Sequence, residues 1–371
     1  MSNVNRWLKE SIFINPLSLG CKMCAKGLKL VVLITGLCPT NCYYCPLSKE
    51  KQGKDRIFAD EWELSDENDT EKLILEARYI EATGAGITGG DPLAVWIRTK
   101  KYIKLLKDEF GANFHIHLYT SGIKNYKYIN DLIKAGLDEI RFHPMPAFWN
   151  NMEKSFLKKS IRNSLDNGCD VAIEIPAIPN MENEIFSLVN WANDNNLCWV
   201  NLNELEFSET NANELNKKGF TVKDDISAAV KGSQETAYRV IEFASKENID
   251  IGIHYCSSSF KDGIQLRNRI KRRAKNTAKK SDLITKDGTF LKGVVYSDRI
   301  TLDQIYKILI EEFKVDTNLI FLNKKKNRIE IAAWILEKIA SRLVKKDMKC
   351  FLIEEYPTAD SLEVEKTPLP F

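Results

Sequence analysis

Residues 29–45, KLVVLITGLCPTNCYYC, join a run of aliphatic residues to three closely spaced cysteines. Positions 30–34 are all apolar and rich in β-branched side chains, which is typical of a strand buried on both faces of a parallel sheet. Cys38, Cys42 and Cys45 follow at once, so they are predicted to lie in the loop after this strand. A disulfide uses two thiols and a structural zinc site usually takes four ligands, whereas three thiols leave a metal cluster with one open position.

Length and composition are those of a globular protein. The chain has 371 residues, of which 44% are hydrophobic and 28% charged, and its net charge is +3. We expect one large domain with an appendage. No apolar run approaches the roughly 20 residues of a membrane span, and the first ten residues lack the apolar core of a signal peptide, so a cytoplasmic location is expected. The nine irregularly spaced cysteines favour metal ligands and buried thiols over a disulfide framework.

Short apolar runs alternate with amphipathic segments along most of the chain. The runs after the first occupy residues 85–88, 114–120, 138–143, 170–176, 199–205 and 249–255. Residues 69–84 and 96–111 are examples of the helical segments between them. This alternation predicts βαβ units and a partial or full (β/α) barrel, with a doubly wound sheet as the alternative. In either fold the chemistry collects at the carboxyl ends of the strands, where the cysteine loop is predicted to lie.

Changes in pattern predict four segments. They are an N-terminal Cys-x2-Cys segment (1–28), the barrel (29–256), a basic helix and hairpin connection (257–300) and a small α/β domain (301–371). The hairpin is expected at residues 283–295, turning at Asp287-Gly288.

The cysteine loop resembles that of the radical S-adenosylmethionine (SAM) superfamily. The spacing Cys38-x3-Cys42-x2-Cys45, the aromatic Tyr44 and the segment TGGDP (88–92) are similar to motifs of that superfamily, with Asp91 where its GGEP motif has Glu. The segments CKMCAKG, GITGGDPLA and HYCSSSFKD are similar to uncharacterised archaeal-type proteins related to pyruvate formate-lyase activating enzyme.

The resemblance implies two cofactors and an electron donor. The three thiolates would hold a [4Fe-4S] cluster, and SAM would chelate its free iron. One electron, from a donor such as ferredoxin or flavodoxin, would split SAM and generate a radical that abstracts hydrogen from a substrate. A zinc knuckle with a distant fourth ligand is the alternative for the three cysteines.

Polar residues at the predicted strand ends are candidates for binding SAM. The resemblance places Gly89 and Gly90 against the methionine end and Tyr44 beside the cluster, with its backbone near adenine. The remaining candidates are Asp91, Thr120, Ser121, Glu174 and Asn203, with Arg141 and His143 as further polar strand residues. The alternatives are a simple tight turn for Gly89–Pro92 and a buried hydrogen-bond layer for the strand residues.

A second metal site is a further hypothesis. Cys21 and Cys24 have knuckle spacing, and Cys256, with His254, could complete a zinc site or hold an auxiliary iron–sulfur cluster. A simple barrel would place Cys24 and Cys256 at opposite ends, so free thiols are the alternative. Cys169, Cys198 and Cys350 lie singly beside apolar strands and are expected to be core thiols.

The stretch from Lys261 to Lys280 carries nine Lys or Arg residues against one Asp, so it could contact RNA. The resemblance implies a radical SAM enzyme with an unidentified substrate, and the basic stretch makes an RNA base flipped into the barrel mouth one candidate. One alternative is an activating enzyme that installs a glycyl radical on a partner protein. The other is a zinc-stabilised RNA-binding protein without catalysis.

Overall fold

The computed structural model describes residues 4–225, 227–247 and 249–370. The chain divides into two compact units, Met1–Leu266 and Arg267–Phe371, so the boundary falls inside the basic stretch. No helix among the described residues has both the length and the apolar character that a membrane crossing requires.

The first unit is built on one large sheet. Its strands among the described residues are β1 (Asn5–Arg6), β2 (Ile12–Ile14), β3 (Lys29–Leu33), β4 (Ile57–Ala59), β5 (Trp62–Leu64), β6 (Gly84–Thr88), β7 (His115–Thr120), β8 (Glu139–Phe142), β9 (Asp170–Ala177), β10 (Trp199–Glu204) and β11 (Gly252–Cys256). Every strand predicted from the apolar runs is present. The short strands β1, β2, β4 and β5 were not predicted, because they lack a long apolar run.

Strand order confirms the barrel and excludes the doubly wound alternative. The order is β1-β2-β11-β10-β9-β8-β7-β6-β3-β4-β5, and the strands from β3 through β6 to β11 are parallel neighbours. These parallel strands follow chain order without reversal, whereas a doubly wound sheet reverses once. The antiparallel strands β2 and β4 flank the parallel set, so the barrel is partial.

Helices precede, connect and follow the parallel strands. They are α1 (Leu19–Lys26), α2 (Thr70–Tyr79), α3 (Trp96–Phe110), α4 (Ile129–Lys134), α5 (Leu157–Asp166), α6 (Glu182–Asp194), α7 (Ala212–Lys217), α8 (Ser233–Lys246) and α9 (Ser258–Phe260), with a π-helix at Lys261–Leu266. Short 3-10 turns lie at Pro92–Val95, Tyr126–Tyr128, Pro146–Phe148 and Met152–Lys154. The helix predicted over 69–84 ends earlier, because Glu81 has a left-handed backbone (φ 55°).

Helix α1 lies against the amino-terminal end of the barrel. The Ser18 side chain caps its start by accepting from the Cys21 N–H, and Gly27 ends it with φ 65°. A Cβ on Gly20 would lie 2.7 Å from the His117 ring and 2.9 Å from the Arg141 guanidinium. Glycine therefore lets the helix reach the side chains that point into the barrel, which brings Cys21 and Cys24 inside.

The second unit is an antiparallel sheet with helices. Its elements are α10 (Arg267–Thr277), β12 (Leu283–Ile284), β13 (Phe290–Tyr296), α11 (Leu302–Glu311), β14 (Ile320–Asn323), β15 (Arg328–Ile331), α12 (Ala333–Val344), β16 (Lys349–Glu355) and β17 (Glu363–Leu369), with a 3-10 turn at Thr317–Leu319. The sheet order is β14-β15-β13-β16-β17, and β12 forms the predicted hairpin with β13. Strand β15 was missed, since its sequence RIEI alternates charged and apolar residues over only four positions.

A buried charge network lies within this sheet. Glu330, whose side chain is 1% exposed, accepts from Arg328 at 2.8 Å and lies 3.3 Å from Lys292 Nζ. Burial alone would raise the pKa of Glu330, but Lys292, Arg328, Asn323 and Lys279 outweigh it and lower the pKa to about 2. The ionised carboxylate therefore stabilises the folded unit.

We expect Glu330→Gln to lower the free energy of unfolding by about 3 kcal/mol at pH 7, since the pKa lies well below its ordinary value of 4.5. Because the pKa of Glu330 is lower in the folded than in the unfolded state, the ionised carboxylate stabilises the folded state above pH 4.5. This stabilisation is lost as the pH falls toward 2. The difference between wild type and variant, measured by calorimetry from pH 7 to pH 3, should shrink accordingly. The exposed Glu365→Gln is the control, and a difference independent of pH would contradict the prediction.

Candidate functional site

The predicted cysteine loop lies at the carboxyl end of β3 and lines a cavity of about 650 Å³. All three thiols, Cys38, Cys42 and Cys45, contribute to its wall. Cys38 is exposed, and the other two are half-buried. The remaining predicted residues on the wall are Tyr44, Gly89, Gly90, Thr120, Ser121, His143, Glu174 and Asn203. Strand ends far apart in the chain therefore meet around one opening.

Local polar contacts position the thiols. The Thr40 hydroxyl lies 3.0 Å from Cys38 Sγ and accepts from Cys42 Sγ at 3.7 Å, a contact that the sequence analysis did not foresee. Burial raises the pKa of Cys38 and of Cys45. Burial also acts on Cys42, but interaction with His143 outweighs it and lowers the pKa of that thiol.

The Gly-Gly-Asp segment holds the start of the cysteine loop. The Gly90 N–H donates to Thr35 O at 2.7 Å, and the Asp91 N–H donates to Leu37 O at 2.8 Å. A Cβ on Gly90 would lie 2.3 Å from Leu37 O, and Gly89 has φ 141°. Only glycine permits this approach of two backbones. The segment therefore positions the cysteine loop in addition to lining the cavity.

Asp91 lies behind the cavity wall. Its buried carboxylate accepts from the Thr120 hydroxyl at 2.7 Å, the Ser121 N–H at 3.1 Å and the Leu93 N–H at 3.0 Å, and it also contacts the Ser121 hydroxyl. Burial raises the pKa of Asp91 despite these donors. Asp91 was predicted to bind SAM, but its oxygens are engaged with protein donors. It would instead act by positioning Thr120 and Ser121.

Tyr44 belongs to a hydrogen-bond chain across the barrel mouth. The His143 ring donates from Nδ1 to the Glu174 carbonyl at 2.7 Å, and its Nε2 is hydrogen-bonded to the Tyr44 hydroxyl at 2.9 Å. Burial raises the pKa of Tyr44 far above its ordinary value, and the hydroxyl stays protonated.

The segment after β10 holds the other side of the cysteine loop. The buried Asn211 side chain donates to Tyr44 O at 3.1 Å and to Glu206 O at 2.9 Å, and the Thr210 hydroxyl donates to Cys45 O at 3.2 Å. Neither residue was predicted from the sequence. More than 160 positions separate them from the cysteines, and no local pattern signals the contact.

Glu174 lies deeper in the barrel and faces two cavities. It accepts from Arg141 at 2.8 Å and from Asn203 at 2.7 Å. Burial would raise the pKa of Glu174, but the Arg141 charge and these hydrogen bonds lower it overall. The carboxylate is therefore ionised and fixed in orientation.

The spacing of the three loop thiols suits a cluster better than a zinc ion. Among the described residues, only His115, His117 and Glu139 have three candidate ligand atoms within 4.8 Å of one another. A tetrahedral zinc ion with Zn–S distances of about 2.3 Å needs sulfurs about 3.8 Å apart. In an iron–sulfur cube each thiolate binds a different iron, so the ligands spread wider. The thiols of Cys38, Cys42 and Cys45 are therefore too widely spaced for one zinc ion, and three thiolates match the ligand number of a cube that keeps one iron open.

The second predicted cysteine group meets inside the barrel. Cys21, Cys24, His254 and Cys256 all line a second cavity of about 270 Å³. Burial would raise the pKa of Cys21, but Arg141 and His254 outweigh it and lower the pKa to about 7. The expected separation at opposite barrel ends does not occur, because α1 inserts toward the barrel interior. Cys169 and Cys350 are buried and Cys198 is half-buried, and none of the three lines either cavity.

The basic stretch is divided between the two units. Lys261 lines both cavities and lies 3.5 Å from Glu206. Burial opposes its charge, but Glu206 and its neighbours raise the pKa of Lys261. Arg273, in α10, is 6% exposed. Of these two cations of the predicted RNA-binding stretch, Arg273 thus faces away from solvent and Lys261 is half-buried beside the cavities.

Comparison with known proteins shows which family the chain resembles, and a relative that matches over the whole chain is among the proteins found. The family described as "Radical SAM superfamily" matches residues 32–144, and a domain of unknown function matches residues 288–369. A protein of Methanocaldococcus jannaschii described as "Putative glycyl-radical enzyme activating enzyme" is 43% identical over 381 residues, which cover 100% of this chain and 96% of the relative.

Two solved structures are similar at low identity. The Streptococcus suis SuiB complex with its precursor peptide SuiA is 12% identical over 64% of this chain, with a TM-score of 0.43. Methylornithine synthase (PylB) is 11% identical over 62% of this chain, with a TM-score of 0.40. The similarity covers 51% of the SuiB chain and 71% of the PylB chain, so this chain spans about half the length of SuiB.

Proposed function

The chain belongs to the radical SAM superfamily, and from this membership we propose that it activates a partner protein by abstracting a hydrogen atom from one of its glycines. It is an enzyme that uses a [4Fe-4S] cluster and SAM. When bound, the two cofactors supply the reductive, hydrogen-abstracting radical chemistry, with methionine and 5′-deoxyadenosine as by-products.

The observation that carries the cofactor assignment is the shared cavity. Cys38, Cys42 and Cys45 line the same opening of about 650 Å³ as Gly89 and Gly90. The thiols would bind the cluster, and the backbone of the two glycines would approach the methionine end of SAM. Thr120 and Ser121, oriented by Asp91, would contribute hydroxyl groups to the same surface.

The chain's own residues would keep the reacting region ordered. Asn211 and the Gly-Gly-Asp segment hold the cysteine loop from two sides, so the thiols need little reorganisation. Glu174 and Asn203 form the inner wall, with Glu174 fixed by Arg141. A preorganised carboxylate at this position can accept hydrogen bonds from the ribose hydroxyls of SAM.

A protein substrate is supported by the close relative. The M. jannaschii protein is described as an activating enzyme of a glycyl-radical enzyme, and it matches the full length of this chain. The alternative RNA substrate relied on the stretch from Lys261 to Lys280. Lys261 faces the cavities and Arg273 is buried, so this stretch offers RNA fewer cations than its composition suggested.

The electron donor and the location are proposed with the reaction. Lys49 and Lys54 are exposed beside the cysteine loop, and they would attract an acidic, low-potential carrier such as a ferredoxin or flavodoxin. A carrier of this kind has to reach the cavity, so it must share a compartment with this protein. We propose that this compartment is the cytoplasm.

Deuterium transfer tests the substrate class. The organism that encodes this chain is grown with α-deuterated glycine, and its extract is incubated anaerobically with the reconstituted enzyme, SAM and dithionite. We expect deuterium in 5′-deoxyadenosine, abolished by prior protease treatment of the extract and unaffected by ribonuclease. Deuterium transfer that ribonuclease abolishes and protease spares would contradict a protein substrate.

A further inference from the structure

We infer that Cys21, Cys24 and Cys256 bind a second iron–sulfur cluster inside the barrel, with His254 as its fourth ligand. This site is separate from the cysteine loop and does not depend on the proposed substrate. The inference rests on four observations, namely the convergence of the ligands, an unpartnered imidazole, the cationic wall and the ligand spacing.

The fold brings together candidate ligands from the start and from the end of the first unit's sequence. Cys21 and Cys24 lie one turn apart on α1, which packs against β3, β6 and β7. His254 and Cys256 lie two positions apart on β11, so their side chains point to the same side of the sheet. All four side chains line the cavity of about 270 Å³. A single metal ion would leave most of that space empty.

The imidazole of His254 supplies an independent sign of a ligand. The residue is 3% exposed, and among the described residues neither ring nitrogen makes a hydrogen bond of acceptable geometry; its polar neighbour is the Cys21 thiol. The Trp7 ring covers it at a centroid distance of 5.6 Å. An imidazole buried without partners is costly, and ligation of a metal by one nitrogen removes part of that cost.

The cavity wall carries positive charge suited to thiolates. Arg141 donates to Cys21 Sγ at 3.7 Å, and Lys261 lines the cavity near Cys256. Lys29 is 6% exposed, and the neutral His117 and Tyr119 contact its ammonium at 2.9 Å and 3.4 Å, with no carboxylate in reach among the described residues. Of these three cations only Lys29 lacks a carboxylate partner within the described part of the chain, because Arg141 pairs with Glu174 and Lys261 with Glu206. A buried cation without an anionic partner is unfavourable. Three thiolates on a cluster would place negative charge beside it.

The spacing of the ligand atoms selects a cluster over a zinc ion. No three of the four candidate ligand atoms lie within 4.8 Å of one another, as far as the described residues extend. The same holds for Cys38, Cys42 and Cys45, the residues that the superfamily motif assigns to its cluster. A tetrahedral zinc ion needs sulfurs about 3.8 Å apart. Neither cysteine set therefore has the close spacing that a single zinc ion needs.

A competing metal group lies deeper in the barrel but is less suitable. His115, His117 and Glu139 have close ligand atoms, yet Glu139 is paired with Arg141 at 2.6 Å and Lys29 Nζ lies 2.9 Å from His117 Nε2. A metal cation bound there would lie close to the positive charges of Arg141 and Lys29, with the Glu139 carboxylate as the negative charge to balance them. The three thiols of the proposed site offer more negative charge.

Iron analysis of matched triple variants tests the inference. The full-length chain is reconstituted anaerobically, and iron, sulfide and zinc are measured in wild type, in Cys21→Ala/Cys24→Ala/Cys256→Ala and in the control Cys169→Ala/Cys198→Ala/Cys350→Ala. We expect about eight irons per chain in wild type and in the control, and about four in the first variant. His254→Ala should retain about eight irons and change the electron paramagnetic resonance spectrum of one reduced cluster.

Spectroscopy of the wild type keeps the test valid if the triple variant fails to fold. The reduced protein should show two [4Fe-4S] signals, of which SAM alters only one. About four irons in wild type, lost only when Cys38, Cys42 and Cys45 are replaced, would overturn the second cluster and leave the proposed function intact. Four irons with one zinc would also overturn it. Iron that survives replacement of the loop cysteines and disappears with Cys21, Cys24 and Cys256 would instead contradict the loop assignment.

Discussion

Replacement of Cys42 by alanine should abolish the production of 5′-deoxyadenosine. The loop has three thiols for a cluster that must keep one iron free for SAM, so no spare cysteine can substitute for Cys42. We expect iron to fall by about four per chain and the rate to fall by about a thousandfold or more. The measurement is chromatographic detection of 5′-deoxyadenosine from the reconstituted protein with SAM and dithionite.

Cys350→Ala is the matched control for this variant. Cys350 is buried in the second unit and lines neither cavity, so its loss should lower stability without changing SAM cleavage. Undiminished 5′-deoxyadenosine formation by Cys42→Ala would mean that the loop thiols do not hold the cluster.

The second large effect is expected from Gly90→Ala. The new Cβ would lie 2.3 Å from Leu37 O and 2.7 Å from Gly36 O, so the backbone of the cysteine loop must move. Forced overpacking of this kind costs about 1–3 kcal/mol. We expect at least about a tenfold loss in SAM affinity, a difference of roughly 1.4 kcal/mol, measured by calorimetric titration of the reconstituted protein.

Gly263→Ala provides the comparison for Gly90→Ala. Its Cβ would meet only the end of the Lys9 side chain at 3.5 Å, an ordinary contact. This variant should bind SAM as the wild type does. Equal SAM affinity in both variants would show that the close approach of the Gly-Gly-Asp segment to the cysteine loop is not needed for binding.

The sequence predicted the barrel and its reactive edge because both follow from short-range patterns. The apolar runs that became β3, β6 and β7 to β11 are continuous in the chain, and their order in the sheet follows from right-handed connections between successive strands. The cysteine loop was recognisable because its three thiols lie within eight positions of one another.

Contacts between residues that are distant in sequence were predictable only in part. Cys21, Cys24 and Cys256 were candidates by spacing and type, yet their meeting depends on α1 reaching into the barrel, which Gly20 permits. No short-range pattern encodes that insertion. The role expected for Asp91 changed for a similar reason. Its carboxylate accepts hydrogen bonds from Thr120 and Ser121 at the end of the neighbouring strand β7.

The sequence by itself therefore determined the fold class, the cysteine loop and the edge of the sheet at which it lies. Only the tertiary structure decided which side chains hold that loop and which thiols share a cavity. Asn211 reaches the Tyr44 carbonyl across more than 160 positions, and Cys256 joins Cys21 across 235. Curvature of the sheet into a barrel creates these contacts, and local propensity carries no information about them.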